Sequence, residues 1–191
     1  MLFAQHAHTA TAADTPRASQ MLKDAVPFNQ MLIQLTLRLQ TRSVLPWSRW
    51  ITPLMPSVSN KRFDTRFFVS AIPSDQIASH DNVETTQSVW LAPRAALEQY
   101  RDGQIQLAPP QIMSLAHLSR HDTVQSVMAQ ARTNPPPVIL PEAFNDDGER
   151  VICYPGDPRH SIATRALPGP TRLRLRNQRF EPVDGFEALF T

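Results

Sequence analysis

Proline sets the limits on where this chain can be regular. Its 191 residues include eighteen prolines. Each fixes its own φ and lacks an N–H, so a helix can open on proline but cannot run through it undisturbed. Pro16, Pro27, Pro93 and the pair Pro109-Pro110 stand where helices can begin. Thr15 before Pro16 has the chemistry of an N-cap. Behind Pro27, Phe28, Met31, Leu32, Leu35 and Leu39 recur at three- and four-residue steps and predict one helix with a buried stripe. APRAALEQYRDGQ predicts a helix opened by Pro93 and stopped by Gly103. A helix from Pro109 would turn Ile112, Leu115 and Leu118 inward. A further one beginning at Asp122 or Thr123 carries Val124, Val127, Met128 and Ala131.

Between the helices lie strand patterns. Pro46 and Pro53 bracket WSRWIT, which reads as an extended piece or edge strand. In RFDTRFFVSAI, Phe63, Thr65, Phe67, Val69 and Ala71 fall on one face, and Arg62, Asp64, Arg66, Phe68, Ser70 and Ile72 on the other. Phe68 and Ile72 make the second face partly apolar, which predicts a central strand covered on both sides. A polar loop, SDQIASHDNVETT, then leads to a shorter strand, QSVWL.

Past residue 134 proline becomes dense (NPPPVILPEAF, YPGDP, ALPGPT), favouring extended connections. VICY reads as a short strand, and TRLRLRNQRFEPV as a hairpin turning near Asn177-Gln178. The expected architecture is one α/β or α+β domain. A flexible start covers 1–14, the main domain 15–134, and a proline-rich extension packed on it 135–191.

Several function classes are excluded or disfavoured. A net charge of +2 gives no footing for nucleic-acid binding. Cys153 is the lone cysteine, so an internal disulfide and a cysteine-based zinc site are impossible, which fits a reducing, cytoplasmic setting. No apolar run approaches the roughly 20 residues of a membrane helix, and MLFAQHAHTATAADTP lacks the basic head and long apolar stretch of a signal peptide. There is no phosphate-cradling G-x-x-x-x-G-K-[ST], no G-x-G-x-x-G and no G-x-S-x-G elbow. His117 and His121, four apart on a predicted helix, have metal-sharing spacing without a nearby carboxylate or cysteine to complete a site. Trp47, Trp50, Phe63, Phe67 and Trp90 read as core before ligand stackers. Arg172, Arg174 and Arg176 alternate with Leu173 and Leu175, as on the solvated face of an edge strand. Contact with an anionic ligand is the other reading of those arginines.

The order and spacing of PWSRWITP, KRFDTRFFVSAIP, HDNVETTQSVWLAPRAAL and GQIQLAPPQIMSL resemble the long-chain Nudix hydrolases. The nearest branch in this respect is that of the coenzyme A and acyl-CoA diphosphatases. Weaker similarity runs upstream through PFNQMLIQLTLRL and downstream through PGDP and PGPTRLRLR. The resemblance implies a Nudix-type α/β/α sandwich, here incomplete and with added helices. It also implies hydrolysis of a diphosphate in a CoA or nucleoside-diphosphate derivative, with Mg²⁺ or Mn²⁺ held by glutamates on one helix, the pattern G-x5-E-x7-R-E-U-x-E-E-x-G-U. Such cations take oxygen ligands, neutralise phosphate charge and activate a water.

The box is missing from this chain. Its six glutamates are Glu84, Glu98, Glu142, Glu149, Glu181 and Glu187; none precedes residue 84 and no two are adjacent. Met1-Leu2-Phe3-Ala4 resembles the apolar stretch that follows the box, so the chain is expected to begin where the box ends. A family member lacking it is expected to be inactive alone and marginally stable. The alternatives are an active enzyme whose box is encoded upstream or lent by a partner, and a non-catalytic CoA- or nucleotide-binding module. One catalytic candidate remains: Glu84, in an E-x5-W arrangement resembling relatives with a loop general base or extra metal ligand. The bland reading of Glu84 is a surface glutamate. Arg62 and Arg66 flank Asp64 on one strand face, either as a structural charge cluster or as a phosphate-facing surface.

Overall fold

The computed structural model describes residues 4–6, 11, 13–39, 41–53, 62–72 and 88–191. It divides into two compact units, Met1–Leu45 with Ser70–Ala78, and Pro46–Val69 with Ser79–Thr191.

In the first unit, strand β1 (Ala4–His6) precedes helices α1 (Asp14–Lys23) and α2 (Phe28–Gln34), and strand β2 (Leu37–Leu39) returns antiparallel to β1. Helix α1 opens at Asp14, two residues before the Pro16 that a Thr15 N-cap would place first. Asp14 lies in its first turn, and its carboxylate accepts from the Thr11 amide and hydroxyl at 2.7 and 2.9 Å. The stripe behind Pro27 is shared between two elements. Thr36 takes a left-handed φ of 54°, which ends α2 and sends Leu37 and Leu39 into β2. Ala18, Met31, Leu35 and Leu37 bury themselves together, while Leu39 is left 41% exposed.

Among its described residues the second unit holds two sheets. Strand β3 (Leu45–Ile51) is central in a three-stranded sheet of order β4-β3-β5, with β4 at Asp64–Val69 and β5 at Val138–Ile139. β3 and β5 are parallel, pairing Arg49 with Val138 and Trp50 with Ile139. The expected roles of the two longer strands are therefore exchanged. WSRWIT is the inner strand because Trp47, Ser48 and Trp50 are all buried, whereas β4 has one strand neighbour among the described residues and leaves Phe68 52% exposed. Ser88 to Leu91 form no strand, and Trp90 is 71% exposed, against the core role expected of it.

Helices α3 (Pro93–Arg101), α4 (Pro109–Leu118) and α5 (Val124–Thr133) follow the local signals closely. Gly103, at φ 77°, stops α3, and the Thr123 hydroxyl caps α5 by accepting from the Ser126 amide at 3.1 Å. The buried face of α4 is set by Ile112, Met113, Ala116 and His117, with Leu115 and Leu118 only half-buried.

A four-stranded antiparallel meander completes the unit: β6 (Glu142–Asp146), β7 (Glu149–Cys153), β8 (Arg172–Arg176) and β9 (Arg179–Pro182). Asn177 and Gln178, at φ 47° and 63°, make the two-residue turn between β8 and β9. Here the arginine reading needs correction. β8 lies between β7 and β9, not at an edge, and its arginines are paired with carboxylates. Arg172 grips the fully buried side chain of Asp157 at 2.6 and 3.0 Å, Arg174 reaches Asp146 and Glu149, and Arg176 reaches Glu149. Burying Asp157 is tolerable because Thr171 and the Arg159 amide also donate to it, at 2.8 Å each.

The main core joins both sheets to α3 and α4 through Trp50, Leu97, Ile112, Ile139, Ile152 and Leu173. Mixed helix and sheet in this order is the α+β class expected of a Nudix-type fold.

Candidate functional site

The sequence places its interest on β3 and β4, and the chemistry there begins at Thr52. Its amide donates to the Phe63 carbonyl at 2.9 Å, and its hydroxyl accepts from the Phe63 amide at 3.0 Å. Its carbonyl accepts from Arg62 Nε at 3.2 Å. The Arg62 guanidinium is thereby held beside the end of β3, and among the described residues no carboxylate pairs with it.

Asp64 is turned toward β3. Arg49 donates to both its oxygens, at 2.8 and 2.6 Å, and these bonds hold the Asp64 carboxyl below the usual carboxylate range. Arg66 stands 3.9 Å from the same carboxylate with its side chain 62% exposed. Arg62 and Arg66 thus have different neighbours, one a backbone carbonyl and the other a carboxylate already engaged.

Beside Thr52 opens an apolar cleft of about 320 Å³. Trp50 and Ile51 of β3 and Phe63 and Phe67 beside them on β4 form one part of its wall. Pro109 and Pro110 contribute the start of α4, which presents rings because neither residue has an N–H to offer. Pro141, Ile152 of β7 and Phe180 of β9 line it from the meander side. Among the described residues, Thr52 and Thr65 are the hydroxyl-bearing ones that line it. The alternation of Phe63, Thr65 and Phe67 foretold one shared face; that the face borders a cavity was not legible without the distant Ile152 and Phe180.

A second, smaller cavity of about 170 Å³ lies against Trp47, His117 and Gln130. The rings of Trp47 and His117 stack with centroids 4.4 Å apart, and the Gln130 amide donates to His117 Nε2 at 3.0 Å. Burial, then the neighbouring His121 and Arg120, push the His117 pKa down to about 4, so the ring is neutral near pH 7. His121 reaches Ser126 at 3.1 Å through Nδ1. Among the described residues no three His, Cys, Asp or Glu side chains gather to hold a metal.

Glu84 lies outside the described residues. The other glutamates are dispersed. Glu98 and Glu187 share Arg94, Glu142 accepts from Ser161, Glu149 takes Arg174 and Arg176, and Glu181 stands opposite Arg174 in the β8–β9 register.

The fold and these sites can be set beside known proteins. The model of the NUDT19 Nudix domain matches residues 4–118. The chain is 31% identical over 119 residues to acyl-coenzyme A diphosphatase NUDT19 of Xenopus laevis, covering 60% of this chain and 31% of that protein. It is 32% identical over 73 residues to the human protein of the same name, covering 38% of this chain and 19% of that one. Similarity to a Caenorhabditis elegans protein designated nudix hydrolase 7 is 24% over 149 residues, 77% of this chain and 49% of the other. The chain thus spans half or less of the length of each of these relatives. No solved structure matches. A family match over more than half of the chain, on the segments that build β3, β4, α3 and α4, settles its kinship: the chain belongs to the Nudix hydrolases and is related to the CoA diphosphatases among them.

Proposed function

We propose that these 191 residues form the substrate-facing part of a Nudix diphosphatase for CoA or nucleoside-diphosphate derivatives, and that they do not hydrolyse such substrates by themselves. The observation carrying this reading is the dispersal of the glutamates. A hard divalent cation needs several oxygens converging on one point. The five described glutamates instead sit apart, four of them bonded to arginine or serine. The described residues therefore do not fit Mg²⁺ or Mn²⁺. For Glu84 we retain the role of general base or added metal ligand, exercised when metal-binding glutamates come from a further segment or a partner chain. Arg62, beside Thr52, is the better placed of the two candidate arginines to meet a phosphate, because Arg66 already neighbours Asp64. The free, buried Cys153 fits a reducing compartment such as the cytoplasm. No described helix is long and apolar enough to cross a membrane.

The test is an assay of the purified chain with coenzyme A, NADH and ADP-ribose in the presence of Mg²⁺. No product is expected. Turnover that disappears in Glu84→Gln would overturn the reading, since this chain would then hold a working site. Reading the coding DNA upstream in frame for an R-E-x-x-E-E-x-G pattern asks independently where a box would come from.

A further inference from the structure

The diphosphatase reading makes no use of the histidine pair. His117 lies in the last turn of α4, and His121 follows in the turn after it, its amide donating to the Leu118 carbonyl at 3.1 Å. Trp47 packs on both rings, with centroids 4.4 Å from His117 and 5.9 Å from His121, and the two imidazole centroids are 6.3 Å apart. Each imidazole has one nitrogen engaged. His117 Nε2 meets the Gln130 amide at 3.0 Å, and His121 Nδ1 meets Ser126 Oγ at 3.1 Å. The Ser126 hydroxyl proton goes to the Thr123 carbonyl, so His121 Nδ1 is the donor and its Nε2 carries the lone pair. His117 Nδ1 and His121 Nε2 are buried and have no hydrogen-bond partner among the described residues.

One ion bound from opposite sides by two imidazoles, at about 2 Å each, holds their ring centres roughly 6 Å apart. The separation here matches that span. Burial pushes the His117 pKa down to about 4, so near pH 7 the ring is neutral and able to ligate. A half-turn of the Gln130 amide brings its oxygen to Nε2–H and leaves the Nδ1 lone pair for a ligand. Gln130 and Ser126 then orient the two rings as the outer partners of metal-bound histidines do. The surroundings select the ion. No third His, Cys, Asp or Glu joins the pair among the described residues, so a hard or four-coordinate cation lacks ligands. The Arg120 charge near His117 repels a divalent ion twice as strongly as a monovalent one. The indole face of Trp47 favours a weakly hydrated cation. We infer that His117 and His121 form a two-coordinate site for a soft monovalent ion, copper(I), with Trp47 packed on both ligands. The site is independent of the function proposed above.

Anaerobic titration of the 191-residue chain with copper(I), against the competing chelator bicinchoninate, tests the site. The chain carries Cys153→Ala, so that its thiol does not take the ion. One equivalent is expected to bind. Ser126→Ala, which removes only the partner of His121, should weaken binding by roughly 10–100-fold. His117→Gln and His121→Gln should each weaken it by more than that. No binding at all, or binding that survives both histidine substitutions at full strength, overturns the assignment. Should the variants fail to fold, silver(I), a redox-inert stand-in, is added to the wild-type chain labelled with nitrogen-15 in its histidines. Joint movement of the His117 Nδ1 and His121 Nε2 signals, complete at one equivalent, supports the site. Movement of one of these rings alone, or only of other histidines, removes it.

Discussion

The hydroxyl of Tyr100 donates to the Phe180 carbonyl and accepts from the Phe180 amide, at 3.0 Å each. Phe180 stands opposite Leu175 on β9, the last strand of the meander, and its polar groups point away from β8 toward α3. One side chain from a helix thereby satisfies the free edge of the sheet at this position. Tyr100→Phe is expected to strip both bonds and lower unfolding stability by about 2 kcal/mol, because a partly buried N–H and C=O lose their partner together. Chemical denaturation of the two proteins measures it. An unchanged midpoint would mean that water replaces the hydroxyl at no cost.

His117 supplies a pH dependence. Its folded pKa is about 4 against an ordinary 6.5, so folding favours the neutral ring. The linked stability is complete above pH 6.5 and is lost as pH falls toward 4, by up to roughly 3 kcal/mol. Denaturant midpoints taken from pH 7 to pH 4.5 should fall more steeply in the wild type than in His117→Gln. Parallel curves would show that another group carries the acid sensitivity.

Cys153 is expected to be unreactive while the chain is folded. Its side chain is buried in β7, and burial, followed by the charge of Asp157, pushes the thiol up to about 11. Only the thiolate is nucleophilic. At pH 8 a disulfide reagent should modify the thiol slowly in buffer and at once in denaturant. Rapid labelling in buffer would contradict the packing of β7.

The β8–β9 turn can be improved. Gln178 holds a φ of 63°, a strain that glycine relieves, and Asn-Gly is the favoured pair for such a two-residue turn. Gln178→Gly is expected to stabilise the protein by about 0.5 kcal/mol, net of the added freedom of the unfolded chain. A lower thermal midpoint would show that the glutamine side chain makes a compensating contact.

What could be read in advance was local. The Pro93 and Pro109 starts, the Gly103 stop, the Thr123 cap and the Asn177-Gln178 turn all act within a few residues of themselves, and the structure uses each. The segments that identify the family are equally legible because they are contiguous. Misreadings began where a distant partner decides. β3 is inner and β4 outer because β5, nearly ninety residues along, pairs with β3. The arginines of β8 serve Asp157, Asp146 and Glu149 because β7 and the Asp157 loop lie against them.

The amino-acid sequence by itself determined the kinship of this protein, its helices and hairpin, and the absence of paired glutamates from its 191 residues. Tertiary structure alone decided which strand is covered, which charges are satisfied, and that Trp50, Phe67, Pro109, Ile152 and Phe180 share one cavity. The physical reason is the range of the forces concerned. Caps, turns and periodicity act over one turn of chain, whereas burial and ion pairing depend on which surfaces meet.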